Sequence, residues 1–552
     1  MLDDAIRCPP EHADIASLPS LRGLPERVAQ RRYDLVRRGV VLKEELELFP
    51  PRRVHRDALG TVAFFGSFLL FVGLGAYLSK PNADPADTLL AASFPEWLRP
   101  KVGDSVLGRR LANTKTAEDN VSWNIFLSVV TFSSVGGFLC AMVVLQLLRS
   151  GGEQVLFHCT VLLPALRLIT GLLCMIYPWN SFTPNKYYRE SINDGILRDC
   201  CRALYFLFGA VLTICSLCNI CISLHVRHLA RPWLALQASL MNTVSRVVLA
   251  HPGMLLVPLS CAALLYLWTI ACISAFTAIL NVDETDESLW PESAIFPTFG
   301  LICWGGGVAS YVTILAFCGV YSRWYFSRSE PPVLVSFRSS MAFALGTACI
   351  ASFWRLSVRT IEILSRLIQP AGPDCKANPV RACLTCIFGC VLECVFHLVG
   401  DVSQFCNTWA FTQCAIRNAS FMQSTCLTVA VCTCANVTLL ANNLVLDYVT
   451  GSGTQVGGLL GFLVGAVAHY LGEWAWLHCA PAVGFVCGAI MTSIVLSVAK
   501  TGFKSILVLW AESCEPLQQL EPQTHDAIVS CIKKRLEENR QRTVSEMSQL
   551  SR

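Results

Sequence analysis

The feature that most constrains this chain is a series of hydrophobic runs, most of them about 20 residues long, divided by short polar breaks. Wound as a helix rising 1.5 Å per residue, such a run crosses a hydrocarbon core of about 30 Å. The candidate spans lie at about 58–78, 122–148, 154–176, 203–225, 253–280, 295–320, 338–366, 382–415, 455–473 and 480–510. The expected fold class is therefore all-α, a polytopic transmembrane helix bundle of about ten spans. Composition agrees, with 53% hydrophobic and 15% charged residues, where a soluble domain carries about a quarter charged. A net charge of +4 over 552 residues argues against nucleic acid as a partner.

Orientation follows from the basic residues. Residues 1–57 are polar and carry Arg31, Arg32, Arg37, Arg38, Arg52 and Arg53 with no early apolar core, so no cleavable signal peptide is expected. The first run, Ala58 to Leu78, should act as its own signal anchor and leave the N-terminus in the cytosol. Arg227, Arg231 and Arg246 after the fourth run, Arg323, Arg328 and Arg338 after the sixth, and Lys533, Lys534 and Arg535 in the tail fall on that same side. The loop between the fifth and sixth runs holds Asp283, Glu284, Asp286, Glu287 and Glu292 and no basic residue. Both termini are thus expected in the cytosol, dividing the chain into a cytosolic region 1–57, a bundle 58–511 and a tail 512–552. Residues 23–48 read as an amphipathic helix and 523–550 as a charged tail helix. The eighth run is interrupted by Glu393, His397, Asp401 and Gln404. The stretch 419–447, dotted with Asn436, Asn442 and Asn443, reads as a cytosolic interfacial helix, with a further span as the alternative.

Signatures of soluble enzymes are missing: there is no GxxxxGK[ST], HExxH or GxSxG, and no ATP site or cofactor is expected. Most of the 28 cysteines, among them Cys215, Cys218, Cys221, Cys261, Cys272, Cys303 and Cys318, sit inside apolar runs, where cysteine acts as a small hydrophobe. Cys383 and Cys386 have a zinc-like spacing, but Cys390 and Cys394 continue it at helical intervals, so a stripe of small residues explains the four and no metal is expected. Trp304 is followed by Gly305, Gly306 and Gly307 and then Ser310 and Tyr311. The glycines serve close helix packing or an unwound mid-membrane segment that meets substrate. The aromatics would suit a quaternary ammonium in the second case. Gly457, Gly461 and Gly465 form a four-residue ridge for close helix approach. Arg355, Arg359, Glu362 and Arg366 share a helical face, with Glu362 and Arg366 able to pair. Glu393 and His397, also four apart, are either a polar pair between helices or a cation-attracting acid beside a titratable group. The sequon at Asn120 lies too close to the membrane for modification to be expected, and those at Asn418 and Asn436 fall inside.

These motifs together resemble the choline transporter-like family (solute carrier family 44), in its compact fungal or protist form. His55-Arg56-Asp57 is similar to the family's Cys-Arg-Asp before the first span, and Asn82 to Pro85 to its Gly-Asp-Pro. Pro252 and Pro258 match the start of the fifth span. Gly319 to Phe326 resembles the small-residue run ending Trp-Tyr-Trp. Ser336-Phe337 and Phe343 to Thr347 resemble the Ser-Phe and Tyr-His-Leu-Gly-Ser elements. Asn407 to Phe411 with Ala415, Ile416, Phe421 and Ser424 is similar to the Asn-Arg-Asn-Ala-Tyr segment, and Ser505 to Glu512 to the exit of the tenth span. The resemblance runs from about residue 55 to 515. Ala344 stands in place of a histidine and Lys504 of an aspartate, and the order of Glu362 and Arg366 is reversed.

The resemblance implies a membrane transporter of choline or a related organic cation such as ethanolamine, facilitative or proton-exchanging, and not an enzyme. Trp304, Tyr311, Trp268 and Trp354 would supply π-faces and Glu393 the compensating charge. Its partners would be the small cation and the lipid bilayer, in a monomer or weak oligomer. Its place would be the plasma membrane or an organelle membrane. The alternatives are a membrane scaffold or lipid-homeostasis factor without transport, and a membrane-embedded enzyme acting on lipid headgroups.

Overall fold

The computed structural model describes residues 26–51, 53–78, 128–147, 149, 164–176, 192–280, 295–328, 332–368, 409–437, 446–471 and 480–550. Every regular element among them is helical: α1 (Glu26–Glu45), α2 (Ala58–Leu78), α3 (Ser128–Leu147), α4 (Pro164–Ile176), α5 (Ile192–Ala250), α6 (Leu256–Leu280) after a 3₁₀ turn, α7 (Ile295–Tyr325), α8 (Pro332–Ala342), α9 (Leu345–Ile368), α10 (Ala410–Arg417), α11 (Phe421–Cys434), α12 (Leu446–Leu471), α13 (Ala480–Glu512), α14 (Glu515–Leu520) and α15 (Pro522–Leu550).

The helices turn apolar side chains outward. Leu59, Val62, Leu69 and Leu70 of α2, Phe132 and Leu139 of α3, and Phe296 and Phe299 of α7 are all exposed. Exposed large apolar residues spread over helix after helix mark surfaces that face lipid. Among the described residues five helices are long and apolar enough to cross a bilayer, and α8 with α9, bent by 68°, forms a broken span or a re-entrant loop. The run expected to span at 338–366 is bent in the structure. Its break at Phe343 and Ala344 frees backbone groups, and Phe343 N–H and Ala344 N–H both donate to Ser339 O (3.0 and 3.3 Å). The amphipathic helix expected at 23–48 is α1 and the tail helix is α15. The stretch 419–447 contains α11, whose 14 residues rise about 21 Å, less than a span needs.

The chain divides into two compact units, one of residues 1–99, 251–438 and 504–516, the other of 100–250, 439–503 and 517–552. In the second, glycines set the helix spacing. Gly461 of α12 and Gly484 of α13 approach so closely that a Cβ on either would meet the other's carbonyl. Gly137 of α3 presses on the backbone of Gly488, and Thr492 donates to Gly137 O (2.9 Å). The four-residue glycine ridge is thus a packing surface. Elsewhere in this unit the end of α5 meets the tail. Thr524 hydrogen-bonds Ser239 and Thr243, and Arg246 pairs with Glu521.

In the first unit α2, α6, α7 and α9 pack together, with α10 and α11 at one end. Buried Val36 of α1 lies with Val429 and Ala430 of α11, and Gly39 brings the α1 backbone against Cys426 O.

Candidate functional site

Inside the first unit, aromatic rings gather along α7. The α2 residues Phe64 and Phe68 are four apart and therefore on one face. Both stack on Trp268 of α6, at 4.5 and 3.8 Å between centroids and 3° and 18° between planes. Phe64 also meets Trp304 edge-on at 5.1 Å, and Trp304 lies 5.3 Å from Phe353 of α9. Each indole N–H is anchored on a carbonyl: Trp268 Nε1 donates to Leu301 O and Trp304 Nε1 to Cys349 O, both at 3.1 Å. An indole in an apolar interior needs that partner, and the bond fixes its ring.

The glycine triplet makes the layer possible. The helix α7 runs unbroken through Gly305, Gly306 and Gly307. A Cβ on Gly305 would strike Trp268, and one on Gly307 would strike Ser352 of α9, whose hydroxyl donates to Trp304 O (3.1 Å). Of the two uses foreseen for the triplet, the structure has the packing one.

Two turns along α7, Tyr311 is buried at 2% exposure, 4.9 Å from the Phe411 ring. Arg355 Nη1 donates to Tyr311 Oη at 3.4 Å, and its guanidinium carbon lies 6.0 Å from the ring centre. Helical side chains lean toward their own N-terminus. The antiparallel α7 and α9 therefore aim Tyr311 and Arg355 at each other. Arg355 lies ten residues past Leu345, about 15 Å along α9; an ionisable group at the centre of a span costs roughly 2.5–3.5 kcal/mol on insertion scales. The sequences of α2, α6, α7, α8, α10 and α11 contain no aspartate or glutamate.

Trp304, Trp268 and Tyr311 thus belong to one layer. Trp354, 39% exposed beside Phe353, makes no ring contact with the layer among the described residues. Glu393 and His397 lie outside the described residues, as do the acidic loop, Asn120, Asn82 to Pro85, Asn407 and the cysteines 383–394; of Arg359, Glu362 and Arg366 only the backbone is described. Phe64, Phe68 and Phe353 of the layer were not singled out in the sequence; for Phe64 and Phe68 the available signal was their four-residue spacing on α2.

A strap of chain, described at residues 46–51 and 53–57, crosses one end of the layer. Phe49 N–H donates to Ile416 O (2.7 Å), its ring meets Phe326 edge-on at 5.8 Å, and Arg328 sits 4.9 Å over its face. Arg53 donates to Ser339 and to Ala415 O, and Arg56 to Asn418 O. Asp57 ends the strap. Its Oδ2 accepts from Thr347 Oγ1 at the start of α9 and from Phe421 N–H at the start of α11, both at 2.8 Å. A carboxylate at a helix N-terminus meets orphan N–H groups and the positive end of the dipole. Beside it Ser420 and Gln423 form a capping box, and Asn418 ends α10 in the left-handed region. Below the strap lies a buried charge cluster: Glu512, 2% exposed, pairs with Arg417 (2.5 Å), accepts from Gln413 (2.9 Å) and faces Lys43 (3.7 Å).

The segments that meet at Asp57 are distant in sequence: residues 55–57, 343–347 and 415–424. All three are among those that carry the resemblance. A family model described as plasma-membrane choline transporter matches residues 211–515. The chain belongs to that family. It is a multi-pass membrane protein. A relative, a CTL-like protein from Dictyostelium discoideum, is 23% identical over 234 residues. That match covers 41% of this chain and 39% of the relative, so the chain spans about two fifths of that protein's length.

Proposed function

We propose that this protein carries choline, or a related organic amine such as ethanolamine, across a membrane, with the aromatic layer of the first unit as its site. The observation that carries the reading is the pair of anchored indoles, Trp268 and Trp304, held with Tyr311 inside the part of the chain that matches the family. A desolvated ammonium over an aromatic face gains about 2 kcal/mol. Glu393 would supply a compensating negative charge. The layer is closed here, with Phe64 and Phe68 covering Trp268, so loading requires α2 to part from α6. Movement is facilitative or in exchange for protons, without ATP hydrolysis. The bundle 58–511 is the transporting part, flanked by cytosolic segments 1–57 and 512–552. The membrane is the plasma membrane.

The test is uptake of radiolabelled choline into vesicles holding the purified protein. Uptake should saturate and be competed by organic cations. Trp268→Ala, losing one face worth about 2 kcal/mol, should weaken it roughly 30-fold. Vesicles that take up no amine, from protein shown to be folded, would leave a scaffold or a headgroup enzyme instead.

A further inference from the structure

Between the strap and the helices α7, α8 and α10 lies a cavity of about 10 Å³, bordered by Arg53, Arg323, Ser336, Ser339, Ser340 and Cys414 among others. Arg323, 4% exposed, donates through Nη1 to Ser336 Oγ (2.9 Å) and to Gly319 O (3.3 Å). Gly319 makes room for this, since a Cβ there would meet Ser336 Oγ at 2.8 Å. Arg53 of the strap donates to Ser339 Oγ and to Ala415 O (3.0 Å). A guanidinium only donates, so each of these serine oxygens accepts and keeps its own proton to give. Neither proton has a protein acceptor among the described residues, although Ser336 is 1% and Ser339 8% exposed. Ser340 differs, because its hydroxyl donates to Ser336 O at 2.9 Å. A buried hydroxyl proton without an acceptor is costly, and here two of them share one space with two guanidiniums. The described acids of the strap and of the helices against it do not line that space. Glu44, Glu45 and Glu47 are exposed, Glu512 is held by Arg417, Gln413 and Lys43, and Asp57 by Thr347 Oγ1 and Phe421 N–H.

We propose that this cavity binds a small monovalent anion of halide size, chloride being the one a cell holds in quantity. The anion accepts the Ser336 and Ser339 protons and offsets the charges of Arg53 and Arg323. Hydrogen bonds to an ionised acceptor are roughly twice as strong as those between neutral groups, which favours the ion over a water. The volume admits about one water-sized particle and is too small for a phosphate or sulfate group. Bound there, the ion ties the strap to α7 and α8 and stabilises this closed end of the aromatic layer. The site lies apart from the rings, and the inference does not rest on the transport reading.

The test is thermal unfolding of the purified full chain in detergent, with sodium chloride or sodium bromide replacing sodium gluconate at constant ionic strength. Both halides should raise the unfolding midpoint and then saturate, as a ligand that binds only the folded state does. Gluconate, too large for the cavity, sets the baseline. The double variant Ser336→Ala with Ser339→Ala should need at least about tenfold more chloride for half the rise, having lost its hydrogen bonds to the ion. Ser340→Ala, whose hydroxyl proton is already engaged, should respond to chloride as the wild type does. The wild-type comparison stands even if the double variant fails to fold. A midpoint indifferent to which anion is present, or a chloride response that the double variant keeps unchanged, overturns the inference and leaves a buried water as the partner of the two serines.

Discussion

At the level of single residues, this protein spends its few interior charges on holding helix ends together. Glu512 receives Arg417, Gln413 and Lys43, and Asp57 receives Thr347 and the first N–H of α11. A buried ion pair adds little net stability over an apolar pair, but breaking it strands a charge at about 3–5 kcal/mol. The Glu512→Ala variant should therefore lose stability of that order, because Arg417 is only 4% exposed. The double variant Arg417→Met with Glu512→Leu should recover most of the loss, since Lys43 is 35% exposed and can turn to water. Thermal unfolding of the purified protein in detergent reads both. A double variant as damaged as the single one would show that the charges are needed for more than each other. These roles were only partly legible. Asp57 and Glu512 could be quoted from their motifs, yet no periodicity says that residues 57, 347 and 421 share one point. Trp354 shows the opposite failure. An aromatic inside a span counts as a candidate in sequence, and a step of 100° from Phe353 takes it off the side that meets Trp304.

Among the helices, apolar length was the readable signal and breaks were not. Runs of about 20 apolar residues mark α2, α6 and α13 closely. The bend between α8 and α9 has no proline or glycine at its centre, Phe343-Ala344, and hydropathy passes through it unchanged. The glycines of α7 invited the opposite error, because the same residue permits unwinding and close approach. Contact distance decides between them, and sequence holds none. The glycines also give a sign test. Gly461→Ala places a methyl against the carbonyl of Gly484, and backbone cannot rotate away, so a loss of about 1–3 kcal/mol is expected. Gly66 of α2 has nothing within 4 Å of the added carbon. Gly66→Ala should then stabilise by roughly 0.5–1 kcal/mol through helix propensity alone. Unfolding midpoints of the two variants should move in opposite directions. A harmless Gly461→Ala would mean that α12 and α13 do not approach at that point.

For the whole molecule, the contacts of the first unit give an expectation for the parity of the membrane crossings. Asp57, just before α2, bonds the start of α9 and the start of α11. Phe326, just after α7, lies on the strap at Phe49, and Tyr325 donates to Ser513 O just after α13 (2.6 Å). Glu512, the last residue of α13, meets Lys43 from the end of α1. The starts of α2 and α9 and the ends of α7, α10 and α13 therefore lie on one side. If those ends lie at one face of the membrane, an even number of crossings separates Ala58 from Glu512. By the positive-inside rule the arginines before α2 and after α7 would put that side in the cytosol. Epitope tags placed before residue 1 and after residue 552 should then both stay hidden from antibody on intact cells and both appear on permeabilisation. A tag visible from outside at one end only would require an odd count, contrary to the Glu512–Lys43 contact, and would overturn the assignment of α13 as the last span. Both tags visible on intact cells would keep the even parity and reverse the orientation, and with it the side from which the strap closes the aromatic layer.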